Sequence, residues 1–550
     1  MKRGYWIGAG LAVVALGFGG VALKDYVVLH IVGWRAPKVA PNHSVVWNEG
    51  PVTATRAPAD RPPNIILIVA DDLGFNDISL NGGGVGGGLL KTPNIDSLGL
   101  DGAVLTTGYA GNATCAPSRA ALITGRYPTR YGFEFTPAPV QMARVVSSQK
   151  REDDMPWVFR GDQVSKTLPL DDMGVPASEI TLAELLATQG YHTLHLGKWH
   201  LGGANGMRPE QQGFNESLGF MAGGQMYLPE RSPKVINAKQ PFDPLDKFLW
   251  ANLPYSVQYN GSPPFRPAGY MTDYLTDQAV AGIRANRNRP FFMYLAYNAP
   301  HTPLQALQSD YDALSSIKDH RERVYAAMIR ALDRGVGRVM DELKAQGLDE
   351  NTLVIFTSDN GGANYIGLPE INRPYRGWKL TFFEGGVRVP YLMRWPARIA
   401  PGTKMTAPVS HFDIFATSAA AAGARLPQDR AIDGVDLMPY INQQVQGRPH
   451  EALFWRSGGY RMVRAGDWKL QVLDRPNRIW LYDLSVDPTE RHDLSTRRPD
   501  IVAALRAQLA AHDRDQAPPA WPALIEAPIG VDKTGAEPIR RNDTYVTWSN

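Results

Sequence analysis

The residues of this chain with the most chemistry to offer are two oxygen-bearing pairs, one thiol and a lysine–histidine pair. Two apolar runs end in the pairs, as Val69-Ala70-Asp71-Asp72 and Thr357-Ser358-Asp359-Asn360. If they converge, three carboxylates and an amide oxygen share one place, and such carboxylates repel unless a cation sits among them. All-oxygen ligation favours a hard ion, Ca²⁺ or Mg²⁺. The alternative for either pair alone is a turn cap. Cys115 is the only cysteine in 550 residues, so its thiol makes no intrachain disulfide and is either inert packing or chemistry. Pro117 suits the first turn of a helix and Gly125 its end, which puts Cys115 at a helix N-terminus, where amide groups and the dipole favour an anion. In Gly197-Lys198-Trp199-His200-Leu201-Gly202, Lys198 and His200 project to one side of an extended segment. A cation beside a titratable base suits an anionic substrate, against the alternative of a solvated lysine and a packed histidine. His192 and His195 are read as packing. His301 lies in Ala299-Pro300-His301-Thr302-Pro303, where prolines fix the loop.

The elements that position these residues follow from periodicity. Runs at 64–70, 290–296 and 352–357 are short, apolar and rich in β-branched or aromatic residues, as strands buried on both faces are. Helical patterns cover 114–125, 181–189 and 325–346, so the fold class is α/β, a mostly parallel sheet layered by helices. In such sheets ligands gather beyond the carboxyl ends of the strands, where the pairs and His301 fall. The segment 205–265 reads as loops over a cleft. From about Ala452 four short runs (453–456, 460–464, 469–472, 479–484) predict a small antiparallel sheet, followed by a helix over 499–512. The tail from Pro518 is Pro-rich and poorly assignable.

At 60.5 kDa, with 44% hydrophobic and 20% charged residues, the chain has the composition of an enzyme-sized globular protein. A net charge of +3 gives no indication of a nucleic-acid binder, and neither a solenoid repeat nor a Cys/His zinc pattern occurs. Lys2 and Arg3 precede an uncharged stretch from Tyr5 to Leu23, which reads as a cleaved signal or, second, a membrane anchor. Export without disulfides points to a bacterial periplasm or cell surface. The expected organisation is a signal or anchor (1–25), a linker or surface-hugging arm (26–62), a catalytic domain (63–445), a C-terminal subdomain (446–515) and a Pro-rich tail (516–550).

The run Cys115-x-Pro117-x-Arg119, with Thr114, Ser118, Thr124-Gly125-Arg126-Tyr127 and Pro128 around it, resembles the signature of the type I sulfatases of the alkaline phosphatase superfamily. The Gly-Lys-Trp-His-Leu-Gly run, His301 and Arg376-Gly377-Trp378-Lys379 ahead of Phe383-Glu384-Gly385-Gly386-Val387-Arg388 are similar to the family in the same order, over roughly 62–495. The resemblance implies an alkaline-phosphatase-like sheet with a small C-terminal antiparallel sheet. It implies conversion of Cys115 to formylglycine by a maturation enzyme, and a catalytic set of Cys115, Arg119, Lys198, His200, His301 and Lys379. It implies Ca²⁺ (or Mg²⁺ or Mn²⁺) held by Asp71, Asp72, Asp359, Asn360 and residue 115. The implied reaction is hydrolysis of an aryl or carbohydrate sulfate, on a sulfated small molecule or glycan, through a covalent sulfo-formylglycine. Arg119, four residues on from 115, is expected to hold the diol; Asp359 accepts the nucleophile's proton, His301 or Lys379 protonates the leaving oxygen and His200 collapses the adduct. His411 and Asp413 match a family motif read as structural, and Glu384 and Arg388 are read as a structural ion pair. Two alternatives stand beside this: a phosphonate or phosphate ester hydrolase on the same aldehyde, which Asn360 disfavours because those relatives carry histidine there, and a non-catalytic exported metal-binding protein.

Overall fold

The computed structural model describes residues 26–27, 29–30, 32–57, 60–149 and 151–550. The expected signal or anchor at 1–25 lies outside them. Among the described residues no helix is long and apolar enough to cross a membrane.

Nine strands form the main sheet: β1 (Asn64–Ala70), β2 (Ala103–Leu105), β3 (His192–Lys198), β4 (Glu216–Phe220), β5 (Gln258–Tyr259), β6 (Phe291–Ala296), β7 (Thr352–Ser358), β8 (Tyr391–Arg394) and β9 (Thr403–Met405). Their order is β9-β2-β8-β7-β1-β6-β3-β4-β5. The middle, β7-β1-β6-β3-β4, is parallel throughout. The principal helices of this region are α1 (Pro93–Leu100), α2 (Cys115–Thr124), α3 (Leu182–Ala187), α4 (Met271–Ala285), α5 (His320–Ala345) and α6 (Asp413–Ala421). Alternation along β1 shows why it must be central. Ile66 and Ile68 enter one core with Leu275, Ile283 and Val336 of α4 and α5. Ile65, Leu67 and Val69 enter the opposite core with Leu122, Leu182 and Phe415 of α2, α3 and α6. All seven β1 residues are buried, and at about 1.5–3 kcal/mol per buried aliphatic side chain both faces contribute.

The C-terminal sheet is a meander of β10 (Ala452–Ser457), β11 (Tyr460–Ala465), β12 (Trp468–Leu473) and β13 (Arg478–Asp483), with α7 (Pro499–Asp513) against it. Val463, Leu470 and Leu481 meet Leu505 and Leu509 of α7. Tyr460 and Met462, facing the other way, share a core with Tyr109, Phe382 and Phe383 of the larger body.

Two expectations are corrected. The segment 205–265 carries β4 and β5 of the main sheet as well as loops. Its strand Glu-Ser-Leu-Gly-Phe lacks an apolar run, and Gly219 is there because a Cβ would sit 1.9 Å from Gly197 O. The tail forms β14 (Ile525–Gly530) and β15 (Tyr545–Ser549), which join Val158–Phe159 in a three-stranded sheet. Pro528 within β14 argues against a strand in isolation, and the partner is remote in sequence. The arm hugs the surface: Trp47 is buried, with its indole N–H donating to Gln278 Oε1 at 3.1 Å.

Candidate active site

Because β7, β1, β6 and β3 are adjacent and parallel, the segments that leave their carboxyl ends emerge along one edge. They supply Asp359 and Asn360, Asp71 and Asp72, His301, and Lys198 and His200. Helix α2 brings Cys115 to the same edge as its first residue. Thr114 precedes it in extended conformation, and Gly125 closes the helix at φ 69°. Cys115 Sγ lies 3.6 Å from Asp72 Oδ1. Asp71, Asp72, Cys115 and His301 each present a ligand atom within 4.8 Å of the others.

Asp359 and Asn360 close around Asp72, one at its backbone amide and the other at its carboxylate. Asp72 N–H donates to Asp359 Oδ1 at 3.1 Å and Asn360 Nδ2 donates to Asp72 Oδ1 at 2.8 Å. Asn360 Oδ1 is buried without a partner. A buried amide oxygen left orphaned beside three carboxylates is a cation's donor set. The residues therefore fit a hard divalent ion held by Asp71, Asp72, Asp359 and Asn360, with residue 115 adjoining.

The cations complete the cluster. Lys198 Nζ donates to both oxygens of Asp71, at 2.8 and 2.7 Å. Lys379 Nζ donates to Asp72 Oδ2 at 2.7 Å, to Tyr365 Oη at 3.0 Å and to Cys115 Sγ at 3.1 Å. Arg119 does not hydrogen-bond Cys115: its Nε donates to Asp359 Oδ2 at 2.9 Å and its Nη1 to Tyr294 Oη at 3.3 Å. Its Nη2 lies 2.8 Å from Asp359 Oδ2 and 3.7 Å from Asp71 Oδ1. His301 Nδ1 lies 2.6 Å from Thr302 O, which only accepts, so Nδ1 carries hydrogen and Nε2 faces Asp72 Oδ2 at 3.7 Å. His200 Nδ1 is buried without a partner, and a Cβ on Gly223 would sit 2.9 Å from its Nε2.

Burial and neighbours set the protonation states. Burial, with Asp359 and Asp72 adding to it, pushes Asp71 up to about 7 despite Lys198 and Arg119. For Asp72 burial is outweighed by Lys379, His301 and Lys198, and the carboxyl is held below its usual range. Burial pushes the Cys115 thiol up in spite of both lysines. Burial holds His301 at about 3 against Asp72, and burial with Lys198 and Arg119 pushes His200 well down. Lys379 is raised because Asp72 and Cys115 outweigh its burial.

Backbone strain marks the same place. Six non-glycine residues among those described have positive φ, and three of them are Asp72, His200 and Leu380, the neighbour of Lys379. Such conformations persist only where the surroundings impose them.

Residues 411 and 413 hold the scaffold. His411 bridges Ser118 Oγ of α2 (3.1 Å) and Thr357 Oγ1 of β7 (3.0 Å). Asp413 accepts from Ser410 N and Val435 N, and pairs with His450 at 2.8 Å. Glu384 and Arg388 pair at 3.2 Å. His192 pairs with Glu216 at 2.7 Å and His195 with Ser217 at 3.0 Å.

Sequence reasoning missed Tyr365, whose Oη donates to Asp72 Oδ2 at 2.8 Å while accepting from Lys379. Its only signal is position, five residues after Asn360 in a Gly-rich loop.

A family model described as Sulfatase matches residues 63–424, and one described as N-sulphoglucosamine sulphohydrolase, C-terminal, matches 377–515. A steryl-sulfatase of Mus musculus is 31% identical over 567 residues, spanning 84% of this chain and 83% of that protein. An N-acetylgalactosamine-6-sulfatase of Mus musculus is 33% identical over 431 residues, spanning 76% and 73%. The solved structure of Ps i-CgsB in complex with k-i-k-neocarrahexaose is similar at a TM-score of 0.69 and 33% identity, over 84% of this chain and 95% of that one.

Proposed function

The chain belongs to the sulfatase family and is a sulfuric ester hydrolase, and from that premise we propose that it removes sulfate from a carbohydrate ester at the edge where Cys115 meets Asp72 and Lys379. One observation carries the site assignment: two buried lysines and three carboxylates meet at one thiol, beside an orphaned amide oxygen. The carbohydrate reading is supported by the relatives at 33% identity, one named for an amino sugar and one crystallised with k-i-k-neocarrahexaose. The aryl-sulfate reading is retained as a general probe of the same chemistry.

A thiol pushed up by burial is a poor nucleophile, which supports reading residue 115 as a precursor. Formylglycine, made by a maturation enzyme, supplies an oxygen nucleophile as its hydrate. A hard cation, Ca²⁺ foremost, supplies charge against the sulfate oxygens and lowers the pKa of a bound hydroxyl. Asp71, Asp72, Asp359 and Asn360 would hold it. Lys198 and Lys379, which pair with Asp71 and Asp72, are the cations placed to bind the anionic sulfuryl group. Asp359, its far oxygen fixed by Arg119, takes the proton of the attacking hydroxyl. Lys379 returns a proton to the leaving oxygen, because it keeps its proton where His301 is held neutral. His301 Nε2 is left to accept or share hydrogen at that oxygen. His200, also neutral, takes the last proton as sulfate departs. The net change is ester plus water to alcohol plus sulfate.

Rates on a sulfate and a phosphate ester of one phenol test this, with sulfate expected to dominate; a dominant phosphate rate overturns it. Peptide mass spectrometry around residue 115 tests the precursor role, with replacement of the thiol by an aldehyde expected. The proposed location, outside the cytoplasm in a periplasm or at a cell surface, rests on the basic and then uncharged stretch through Leu23. Cell fractionation tests it.

A further inference from the structure

Lys379 is carried by a tight loop whose other side is gripped by the C-terminal sheet. The loop is tied to the active-site edge where Lys379 N–H donates to Gly362 O at 3.0 Å and Leu380 N–H to Ala113 O at 2.9 Å, two residues before Cys115. Gly385 N–H donates to Arg376 O at 2.8 Å, closing the turn at its base. The packing is close: a Cβ on Gly386 would lie 2.0 Å from Thr381 O, and Leu380 is held at φ 75°. A displacement at Glu384 therefore has no slack to absorb it before Lys379.

From the far side, Lys469 on β12 is fully buried and donates to Glu384 Oε1 at 2.8 Å, with Glu490 Oε1 at 2.9 Å. Glu490 Oε2 in turn accepts from the backbone N–H of Glu384 at 2.6 Å, and its carbonyl accepts from Arg376 Nη1 at 2.9 Å. Tyr460 Oη on β11 accepts from Phe382 N–H at 3.0 Å. Gln471 Nε2 donates to Glu490 Oε1 at 3.1 Å. Arg388 and Arg464 close the rest, through Glu384 Oε2 and the Tyr109 hydroxyl. A packing contact between subdomains needs only apolar area, which Phe382 and Phe383 already supply. A buried lysine with two carboxylates is a costly way to add stability, but its fixed geometry is suited to holding a loop in register.

We propose that Lys469 is a positioning residue of the active site, acting through Glu384 and Glu490 to hold the loop that presents the Lys379 ammonium to Cys115. The inference rests on Lys379 as a sulfate-contacting group.

A double-mutant cycle tests it, comparing wild type, Lys469→Met, Lys379→Ala and the double variant, with Tyr460→Phe as a milder lesion that keeps the aromatic packing. Two readouts are taken: turnover of 4-nitrophenyl sulfate, and affinity for inorganic sulfate, which needs no turnover. Lys469→Met is expected to lower kcat/KM about 30-fold and Tyr460→Phe about 3-fold, while the double variant matches Lys379→Ala within about 2-fold. A purely structural role instead predicts that the Lys469→Met loss persists in full on the Lys379→Ala background, and that result overturns the inference. So does unchanged turnover and sulfate affinity in both single lesions. If Lys469→Met does not fold, Tyr460→Phe carries the same cycle. If wild type binds sulfate but turns over no sulfate ester, the sulfatase reading fails, and the sulfate affinities still decide the role of Lys469.

Discussion

Two buried clusters of charge lie on opposite sides of the loop 376–388, and they differ in what they leave unsatisfied. The strand-end cluster of Asp71, Asp72, Asp359, Lys198 and Lys379 adjoins an orphaned Asn360 Oδ1 and His200 Nδ1. The C-terminal cluster of Glu384, Glu490, Lys469, Arg388, Arg464 and Tyr109 leaves no buried side-chain polar atom unpartnered among the described residues. Burial and charge are alike in both, so neither identifies a site for chemistry. Unfilled hydrogen-bonding capacity does, because a ligand is what would complete it; strain alone does not, since Glu490 of the closed cluster is also held at positive φ, 57°.

The largest expected effect separates the clusters most sharply. Cys115→Ala should lower kcat/KM on an aryl sulfate by at least ~10⁴-fold, as loss of a nucleophile does, and leave the melting temperature within a few degrees. Substantial turnover in the purified variant would remove residue 115 from the chemistry. Next in size is the cation. If the strand-end cluster is completed by a divalent ion, Ca²⁺ at a thousandfold excess over Kd should stabilise the protein by about 4 kcal/mol, and chelation should abolish turnover. Asp72→Ala should erase that Ca²⁺-dependent rise in melting temperature, whereas Glu490→Gln, in the closed cluster, should keep it. A rise that survives Asp72→Ala would place the ion elsewhere. Smaller again is Tyr365→Phe, which removes one hydrogen bond to Asp72 and one acceptor for Lys379. About a 5- to 10-fold loss in kcat/KM is expected, from a hydrogen bond between charged groups worth about 1–2 kcal/mol.

How much of this was legible in the sequence follows the same division. The strands at 64–70 and 352–358 and helix α2 were readable because apolar periodicity and a Pro–Gly frame are local signals. Parallel strands then carry their terminal residues to a common edge, so Asp71, Asp72, Asp359 and Asn360 could be grouped before any coordinates. Lys379 required the resemblance, since nothing in its spacing points at Cys115. Tyr365, β4 and the tail strands were illegible because their placement is decided by partners far along the chain. Arg119 was legible as a residue but not in its partner: helical spacing aims it towards 115, while the Asp359 carboxylate captures it. Lys469 was the least visible, since a lysine alternating with apolar residues in a strand reads as solvent-facing, and only β11–β12 packing on the larger body buries it.

The smallest predicted effect probes the closed cluster by pH. Burial pushes Glu490 up to about 7, against Lys469, while for Glu384 burial is outweighed by Lys469, Arg388 and Arg464, leaving it at about 2. Both carboxyls have an unfolded value near 4.5. Between about pH 2 and 4.5 the unfolded chain holds the extra proton, on Glu384, so stability should rise with pH. Between 4.5 and about 7 the folded chain holds the extra proton, on Glu490, so stability should fall, by on the order of 1–3 kcal/mol across the window. Glu490→Gln keeps the acceptor for the Glu384 amide but cannot titrate, so it should make the second limb shallower, with Asp71, Asp77 and Asp246 supplying what remains, and leave the first. The measurement is urea unfolding of metal-free protein from pH 3 to 8, which keeps the strand-end ion out of the balance. A second limb unchanged in Glu490→Gln would assign the titration to the other carboxyls that burial raises to about 7, Asp71, Asp77 and Asp246. Glu490 would then be electrostatically silent, and the contrast between the two regions above pH 4.5 would rest on hydrogen bonding alone.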